Sequence, residues 1–336
     1  MDLKIGSVLT PEGKLQFSGY LSYPTLKWDP SVLESSFSKS FRFKKWDFYS
    51  FYLKNLTVCV AVADLYYAKN AFLTIYQQNS EPITYEKLIF PPESVKMSET
   101  SLSGTTFYNS SSIIFLFTNN HENYKQIIVQ YKHIDINLQY RKDSDQEGMV
   151  YLGPFNSEMT QFFYSHKQYN YKVDGYVKVA NDEYILYQEL GMMDWGRGIW
   201  PYHGGWIWGS GLGKVGKTEV GLNIGELPKD QVVAGASDDC IILNKTMIKL
   251  GVVNFEKDEN GGNWSFFTVN NEPDSRFGAI KGKFVVEKTF NKEFNFWLIK
   301  SKLLQLFGNF EGEVVTKESR FKFEIRGILE VHESRW

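Results

Sequence analysis

Cysteine, proline and histidine are scarce in this chain, and each scarcity excludes a class of protein. The 336 residues contain 2 cysteines, 10 prolines and 5 histidines. Cys59 and Cys240 each lie inside a short apolar run, so we expect two buried thiols rather than a disulfide-stapled domain. The histidines show no ligand spacing with cysteine or carboxylate, so the sequence predicts no metal site and no cofactor.

Neither sign of charge dominates, and long apolar runs are absent. Lys and Arg number 37, Asp and Glu number 39, and the formal net charge is −2, a balance that argues against binding to nucleic acid. No apolar run reaches membrane-spanning length, so we predict no transmembrane segment. The N-terminus lacks the pattern of a secretory signal or a transit peptide. We therefore expect an intracellular protein, cytoplasmic by default, with an organelle left open.

Aromatic residues and period-two patterns are plentiful, and both are typical of strands. Aromatic residues make up 16% of the chain, and most are Phe and Tyr, which favour strands. Many runs of roughly six to ten residues are bounded by turn residues, among them Leu56–Ala63, Ile134–Tyr140 and Gln231–Ala236. Only Ser31–Ser40 and Ser301–Phe307 have a helical look. This spacing predicts an all-β, antiparallel sandwich or barrel, and two β-barrel-like halves fit the length.

The most solvated stretch of the chain lies near its middle. It is Arg141–Gly148, with the sequence RKDSDQEG. A polar stretch of this kind predicts a boundary between an N-terminal β domain, residues 1–148, and a C-terminal β domain, residues 149–336. A long hairpin loop has the same composition, so that alternative stays open.

The chain is organised around the stretch Gly191–Glu226. It holds four of the nine tryptophans, eleven of the 27 glycines and the histidine His203. Glycine lets the backbone approach a partner closely, while tryptophan brings a wide apolar face with one N–H donor. Their combination indicates a shaped pocket wall or a tight barrel corner.

A formal phosphate-loop match, Gly211–Thr218, lies inside this stretch. That motif requires a helix after it, so that backbone N–H groups face the phosphates. Here Val220, Leu222 and Ile224 alternate with polar residues and glycine, which predicts a strand. We interpret Ser210–Lys217 as a glycine-rich hairpin turn rather than a nucleotide site.

Polar residues in the same stretch are candidates for binding or catalysis. Asp194 and Arg197 flank a glycine, where they can form a buried ion pair or bind a substrate carboxylate or hydroxyl. His203 precedes two glycines at a turn, and its imidazole can act as an acid or base near neutral pH or serve as a hydrogen-bonded structural group. Trp206 and Trp208 project to one side of a strand, where they line an apolar cavity or fill a core.

Three strings give a resemblance to a known family. They are KWDF (Lys45–Phe48), DWGRGIWPYHGGWIWGSG (Asp194–Gly211) and GLNIGE (Gly221–Glu226). The chain resembles the domain-of-unknown-function 2804 family over most of its length, and that resemblance implies no established activity. The family is in turn similar, at a greater distance, to tandem lipocalin-like proteins such as hydroxyneurosporene synthase and tocopherol cyclase. This likeness implies two lipocalin-like halves and a long apolar ligand.

Three hypotheses about function follow. In the first, the protein binds a small hydrophobic, lipid or isoprenoid-like ligand in a β-barrel pocket. The site residues would be three tryptophans that line the pocket and four polar anchors: Trp200, Trp206, Trp208, Asp194, Arg197, Tyr202 and Asn223. In the second, the same pocket belongs to a cofactor-independent hydratase- or cyclase-like enzyme that uses Asp194 or His203. In the third, the chain is an accessory subunit whose aromatic surfaces contact protein partners.

Overall fold

The protein consists of two curled antiparallel β-sheets. The computed structural model describes residues 6–34, 41–90, 93–228, 237–258, 262–270, 272–273, 276–296 and 299–335. It confirms the all-β prediction of two sheet-forming halves. A short helix, α1 (Ser31–Glu34), begins where a helical turn is predicted. The rest of that prediction, residues 35–40, lies outside the described residues, as does the predicted strand Gln231–Ala236.

The first sheet contains twelve strands within the described residues. They are β1 (Gly19–Leu21), β2 (Phe43–Tyr52), β3 (Leu56–Asp64), β4 (Lys69–Gln77), β5 (Ile83–Ile89), β6 (Gly104–Ser110), β7 (Ile113–His121), β8 (Tyr124–Tyr131), β9 (Ile134–Arg141), β10 (Met149–Pro154), β11 (Phe162–Val179) and β12 (Asp182–Ile199). Their order is β5-β4-β3-β2-β12-β11-β9-β8-β7-β6, and β10 pairs with both β1 and β11.

The second sheet contains nine strands within the same described ranges. They are β13 (His203–Val215), β14 (Thr218–Glu226), β15 (Cys240–Leu243), β16 (Thr246–Lys249), β17 (Val253–Lys257), β18 (Trp264–Thr268), β19 (Ala279–Phe296), β20 (Ile299–Val315) and β21 (Arg320–Arg335). The order is β16-β15-β14-β13-β21-β20-β19-β18-β17.

The chain passes from the first sheet to the second at residues 200–202. The polar stretch Arg141–Gly148 connects β9 to β10, two strands of the first sheet. The division into residues 1–148 and 149–336 stays a prediction about folding units. Ser301–Phe307, with its helical look, lies within β20, because each of its residues pairs with β21. The phosphate-loop match spans the β13–β14 hairpin, whose turn is Gly216–Lys217.

Buried side chains pack within the curl of each sheet and between the sheets. One cluster lies within the curl of the first sheet and includes Val58 and Val60. A second lies within the curl of the second sheet and includes Phe310. A third lies between the sheets, because Phe48 of β2 packs there with Ile328 of β21. The central strands of each sheet are therefore covered on both faces.

Strand β3 shows how alternation divides its residues between two environments. Val58, Val60 and Val62 join the core of the first sheet, whereas Cys59 and Ala61 face the second sheet. Successive side chains of a strand point to opposite faces, so one apolar run supplies both surfaces. The residues on the outer face are small, and they leave room between the sheets.

A hydroxyl cluster joins the sheets directly. Tyr52 of β2 donates a hydrogen bond to Ser210 Oγ of β13 at 3.0 Å. The Tyr169 hydroxyl of β11 lies 3.0 Å from the same oxygen. Burial raises the pKa of both tyrosines, so they stay neutral hydrogen-bonding groups. The cluster fixes β13 against two strands of the first sheet.

A row of three glycines crosses the middle of the second sheet. Gly211, Gly327 and Gly308 are register partners on β13, β21 and β20. The ring of Phe310 covers the row, and a Cβ added at Gly327 would lie 2.7 Å from Phe310 Cε2 and would overlap the carbonyl oxygen of Ser210. Only glycine permits this close approach of backbone to backbone.

We expect Gly327→Ala to lower the free energy of unfolding by about 1–3 kcal/mol, because the added methyl group overpacks the row. Gly251→Ala is the matched control, since its Cβ would meet no atom closer than 3.7 Å. Chemical denaturation of both variants measures the difference. Equal stabilities would contradict the steric role of the row.

Candidate functional site

A large cavity lies between the two sheets. Its volume is about 1150 Å³, above the roughly 300–1,000 Å³ of most small-molecule sites. The first-sheet wall comes from β2, β3 and β4 and comprises Trp46, Phe48, Ala61, Ala63, Phe72 and Thr74. The second-sheet wall comes from β13, β20 and β21 and comprises Trp206, Trp208, Leu303, Gln305, Glu330 and His332. Most of the lining is apolar or aromatic.

Cross-strand register builds the second-sheet wall. Trp208, Glu330 and Gln305 are partners across β13, β21 and β20, and the next row has Trp206, His332 and Leu303 in the same order. Partners in one row of an antiparallel sheet share a face, so all six side chains point toward the first sheet. Trp206 and Trp208 are two residues apart on β13, so each of the two rows contains one indole.

Trp200 closes one side of the cavity at the junction between the sheets. Its ring centroid lies 4.7 Å from that of Phe155 and 5.7 Å from that of Phe163. It lies 5.6 Å from the rings of both Trp46 and Trp206. Trp200 therefore packs against aromatic side chains of both sheets, within the segment where the chain crosses from one to the other.

Three charged side chains form a buried cluster at the cavity wall, which we call the Lys167 cluster. Lys167 Nζ lies 2.7 Å from Asp194 Oδ2 and 3.7 Å from Asp238 Oδ2. It also lies 4.9 Å from the centroid of the Trp208 ring. Burial acts to lower the pKa of Lys167, but the two carboxylates outweigh it and the pKa is raised. Lys167 is therefore a cation at neutral pH.

Two further titratable groups face the cavity from β21. Burial raises the pKa of Glu330 to about 7. Gln305 donates a hydrogen bond of 2.8 Å to Glu330 Oε1, which acts to lower that pKa but does not outweigh burial. Burial lowers the pKa of His332 to about 4, so its imidazole is neutral at pH 7. His332 Nε2 lies 2.8 Å from Ser301 Oγ, and its ring lies 4.1 Å from that of Trp206.

Four of the eight predicted site residues lie in the cavity wall. They are Asp194, Trp200, Trp206 and Trp208. Arg197, Tyr202, His203 and Asn223 are not among the cavity-lining residues in the described part of the chain. His203 is exposed at the start of β13 and Tyr202 is half-buried beside it. Roles for these eight residues in binding or catalysis stay predictions.

The predicted ion pair between Asp194 and Arg197 is wrong. Residues three apart on a strand point to opposite faces. Asp194 therefore faces the cavity and pairs with Lys167, whereas Arg197 Nη2 lies 2.9 Å from Asp47 Oδ1 on the other side of the sheet. Arg197 is fully buried and also donates to the carbonyl oxygens of Trp46 and Ser98. It anchors β12 to β2.

Asn223 lies behind the cavity wall and orients a residue of the wall. Its Oδ1 accepts the indole N–H of Trp208 at 2.8 Å, and its Nδ2 donates to the carbonyl oxygen of Asp238 at 2.8 Å. Asn223 thereby links one tryptophan of the wall to the segment that carries one acid of the Lys167 cluster.

Sequence reasoning missed several residues of the wall. Trp46 and Phe48 lie in the KWDF string, and their spacing of two indicates one shared face. Lys167 lies in the run Phe162–Tyr171, where a lone lysine among aromatic residues was a usable signal of a buried cation. Glu330 lies in a strand with other charged residues, and only the register with Trp208 shows that it faces the cavity.

The fold and cavity define a class of all-β proteins with two curled antiparallel sheets and an apolar chamber between them. The family model described as "Domain of unknown function (DUF2804)" matches residues 3–336. The chain belongs to that family. No curated protein matches the sequence.

Solved structures with the same fold share little sequence with this chain. CghA is 9% identical, with a TM-score of 0.58 over 98% of this chain and 96% of CghA. A structure of CghA with Sch210972 gives 9% identity and a TM-score of 0.56 over 87% and 88%. An AttH-like protein from Nitrosomonas europaea is 10% identical, with a TM-score of 0.53 over 93% and 96%. The more distant likeness to hydroxyneurosporene synthase and tocopherol cyclase stays a prediction.

No helix in the described ranges is long and apolar enough to cross a membrane. Where side chains are described, no three His, Cys, Asp or Glu residues form a group that could hold a metal ion.

We expect Asp47→Asn to lower the free energy of unfolding by about 3–5 kcal/mol, because it leaves the buried charge of Arg197 uncompensated. Asp64→Asn is the control. Asp64 forms a partly exposed pair with Lys69 at 2.8 Å, and the loss of such a pair costs at most about 1 kcal/mol. Urea denaturation of both variants provides the test. A small effect at Asp47 would show that Arg197 does not depend on it.

Proposed function

We propose that this protein binds a small apolar molecule in the cavity between its two sheets. The cavity itself carries the proposal, since it combines a volume of about 1150 Å³ with walls that are mainly aromatic and aliphatic. Apolar surface is transferred favourably from water into such a site, at roughly 25 cal/mol per Å² buried. A lipid or isoprenoid-like molecule fits this size and polarity.

Several polar groups of the wall lie together beside Trp208, an arrangement that supports binding in one orientation. Glu330 and Gln305 share the cross-strand row of Trp208, and Lys167 Nζ lies 4.9 Å from the centroid of the Trp208 ring. In ligand sites, a small number of polar groups in an apolar lining fix the orientation of the bound molecule. The ligand would therefore place its polar end beside Trp208 and its apolar part along Trp46, Ala61 and Phe72.

The wall at Ala61 supports the proposal in a second way. Ala61 lies between Phe48 and Phe72 in one row of the first sheet. Protein interiors are normally close-packed, so small residues that leave space between two sheets need a reason. A bound molecule that fills the space provides that reason. The alternatives of a cofactor-independent enzyme and of an accessory subunit remain predictions from the sequence.

We expect Ala61→Phe to weaken binding of the neutral apolar dye Nile red by about tenfold or more, a loss of roughly 1.4 kcal/mol, because the phenyl ring occupies ligand space. Ile185→Phe is the matched control, since Ile185 is 71% exposed and does not line the cavity. Fluorescence titration of wild type and both variants measures the dissociation constants.

Two outcomes would contradict the proposal. One is equal affinity of Ala61→Phe and wild type for the dye, with thermal unfolding showing that the variant is folded. The other is no saturable binding to the wild type. If the dye binds the wild type and Ala61→Phe weakens that binding, mass spectrometry of an organic extract of protein purified from its native source would identify the class of ligand.

A further inference from the structure

Acidic groups outnumber basic groups where the polar residues of the cavity meet. Asp194, Asp238 and Glu330 provide three carboxyl groups, and Lys167 provides one ammonium group. Lys167 forms ion pairs with both aspartates, at 2.7 Å from Asp194 Oδ2 and 3.7 Å from Asp238 Oδ2. Trp208 connects the two parts, since Lys167 lies over its ring and Glu330 is its register partner.

The charge compensation of these carboxyl groups is incomplete. Asp194 Oδ1 is buried and accepts no hydrogen bond from the described residues. No Lys or Arg side chain in the described ranges forms an ion pair with Glu330, and its hydrogen-bond donors, Gln305 and the Trp206 indole, are both neutral. Buried charges that lack a partner are costly, so this region of the wall favours a ligand that brings positive charge.

The other charged groups of the lining already have partners elsewhere. Lys292 pairs with Glu86, Lys44 donates to backbone carbonyl oxygens, Lys45 lies 4.8 Å from the Phe43 ring, and Glu226 accepts a backbone N–H. Lys44 is four residues along β2 from Phe48, the register partner of Asp194. That separation is about 13 Å at roughly 3.3 Å per residue. None of these contacts involves Glu330.

The aromatic walls add a second attraction for a cation. Trp208 is the register partner of Glu330 and the Trp206 indole donates a hydrogen bond to it, and the ring of Phe48 lies 5.6 Å from that of Trp208. Aromatic faces attract ammonium groups, and more strongly where water is excluded. Lys167 makes this kind of contact with Trp208 already.

We propose that the ligand is an amphiphile with a cationic polar end, an amine, whose ammonium group binds beside Glu330 and the indoles of Trp206 and Trp208. This inference rests on the proposed function and adds the charge of the ligand. The apolar part of the amphiphile occupies the space beside Ala61. An anionic end would face three carboxyl groups, and a neutral end would leave Glu330 without a counter-ion.

The titration of Glu330 gives this proposal a pH dependence. With a pKa of about 7, Glu330 is mostly ionised at pH 8 and mostly protonated at pH 6. The charged groups that act on it are Asp194 and Lys167, while burial keeps Tyr52 and Cys59 neutral by raising the pKa of each.

His332, two residues from Glu330 along β21, is neutral because burial lowers its pKa to about 4. Burial also lowers the pKa of two lysines of the lining, Lys44 to about 7 and Lys292 to about 8, so their loss of charge as the pH rises acts in the same direction as the ionisation of Glu330. Binding of an ammonium group therefore strengthens as the pH rises through 7.

The test compares three probes with the same ten-carbon chain: decylamine, decanol and decanoate. We expect decylamine to bind at least about tenfold more tightly than decanol at pH 8, and decanoate to bind most weakly. An alkylamine keeps its charge at both pH values, because an aliphatic ammonium group titrates near 10.4. Its advantage over decanol should shrink severalfold at pH 6. Isothermal titration calorimetry on the full chain provides the dissociation constants.

Glu330→Gln tests the residue itself. The amide keeps the shape of the side chain and removes the charge, so the preference for decylamine and its pH dependence should both disappear while decanol affinity changes less than about twofold. Glu311→Gln is the matched control on β20, because Glu311 does not line the cavity. If Glu330→Gln does not fold, the order of affinity of the three probes for the wild type still tests the cationic end.

The outcomes separate this inference from the proposed function. Equal or tighter binding of decanol or decanoate, relative to decylamine, would overturn the cationic end and leave the apolar site in place. A preference for decylamine that persists unchanged at pH 6 would overturn the role of Glu330. Failure of all three probes to bind would overturn the proposed function, and this inference with it.

Discussion

The structure depends on one constraint, the burial of the central strands on both faces. Strands β2, β3 and β12 pack one face into the core of the first sheet and turn the other toward the second sheet. Side-chain alternation assigns every second residue to each surface, so valines fill one side of β3 while cysteine and alanine occupy the other. The cavity exists because the two sheets touch at Tyr52 and Ser210 but leave the small residues of β3 uncovered by side chains.

The buried charges of β12 are also divided between the two faces of the first sheet. On the core side of β12, Arg197 has a carboxylate and several carbonyl oxygens around it, so a full charge is held without water. On the cavity side of the same strand, Asp194 shares one lysine with Asp238. Glu330 accepts hydrogen bonds from two neutral donors, Gln305 and the Trp206 indole, and forms no ion pair with a described Lys or Arg side chain. The balanced charges hold strands together, and the unbalanced ones face the space that a ligand can enter.

The sequence predicted the architecture better than it predicted the site. Alternating runs, turn residues between them and the absence of helical periodicity were sufficient for an all-β fold, because each of these signals is local. The spacing of Trp206 and Trp208 placed both on one face. Local spacing also carried the information that Asp194 and Arg197 point apart, yet adjacency along the chain favoured the wrong pairing. Lys167 and Glu330 reach the same chamber from strands more than 160 residues apart in sequence.

The sequence by itself determined that the chain is built mainly of strands and which residues of a predicted strand share a face, because backbone geometry fixes a period of two. It also singled out the aromatic and glycine-rich stretch Gly191–Glu226, whereas the structure placed the junction of the two sheets within that stretch. Only the tertiary structure decided which face meets which sheet, that Lys167 rather than Arg197 compensates Asp194, and that Glu330 lies inside a cavity. Register and the docking of two sheets arise from contacts between distant segments, and no local pattern specifies those contacts.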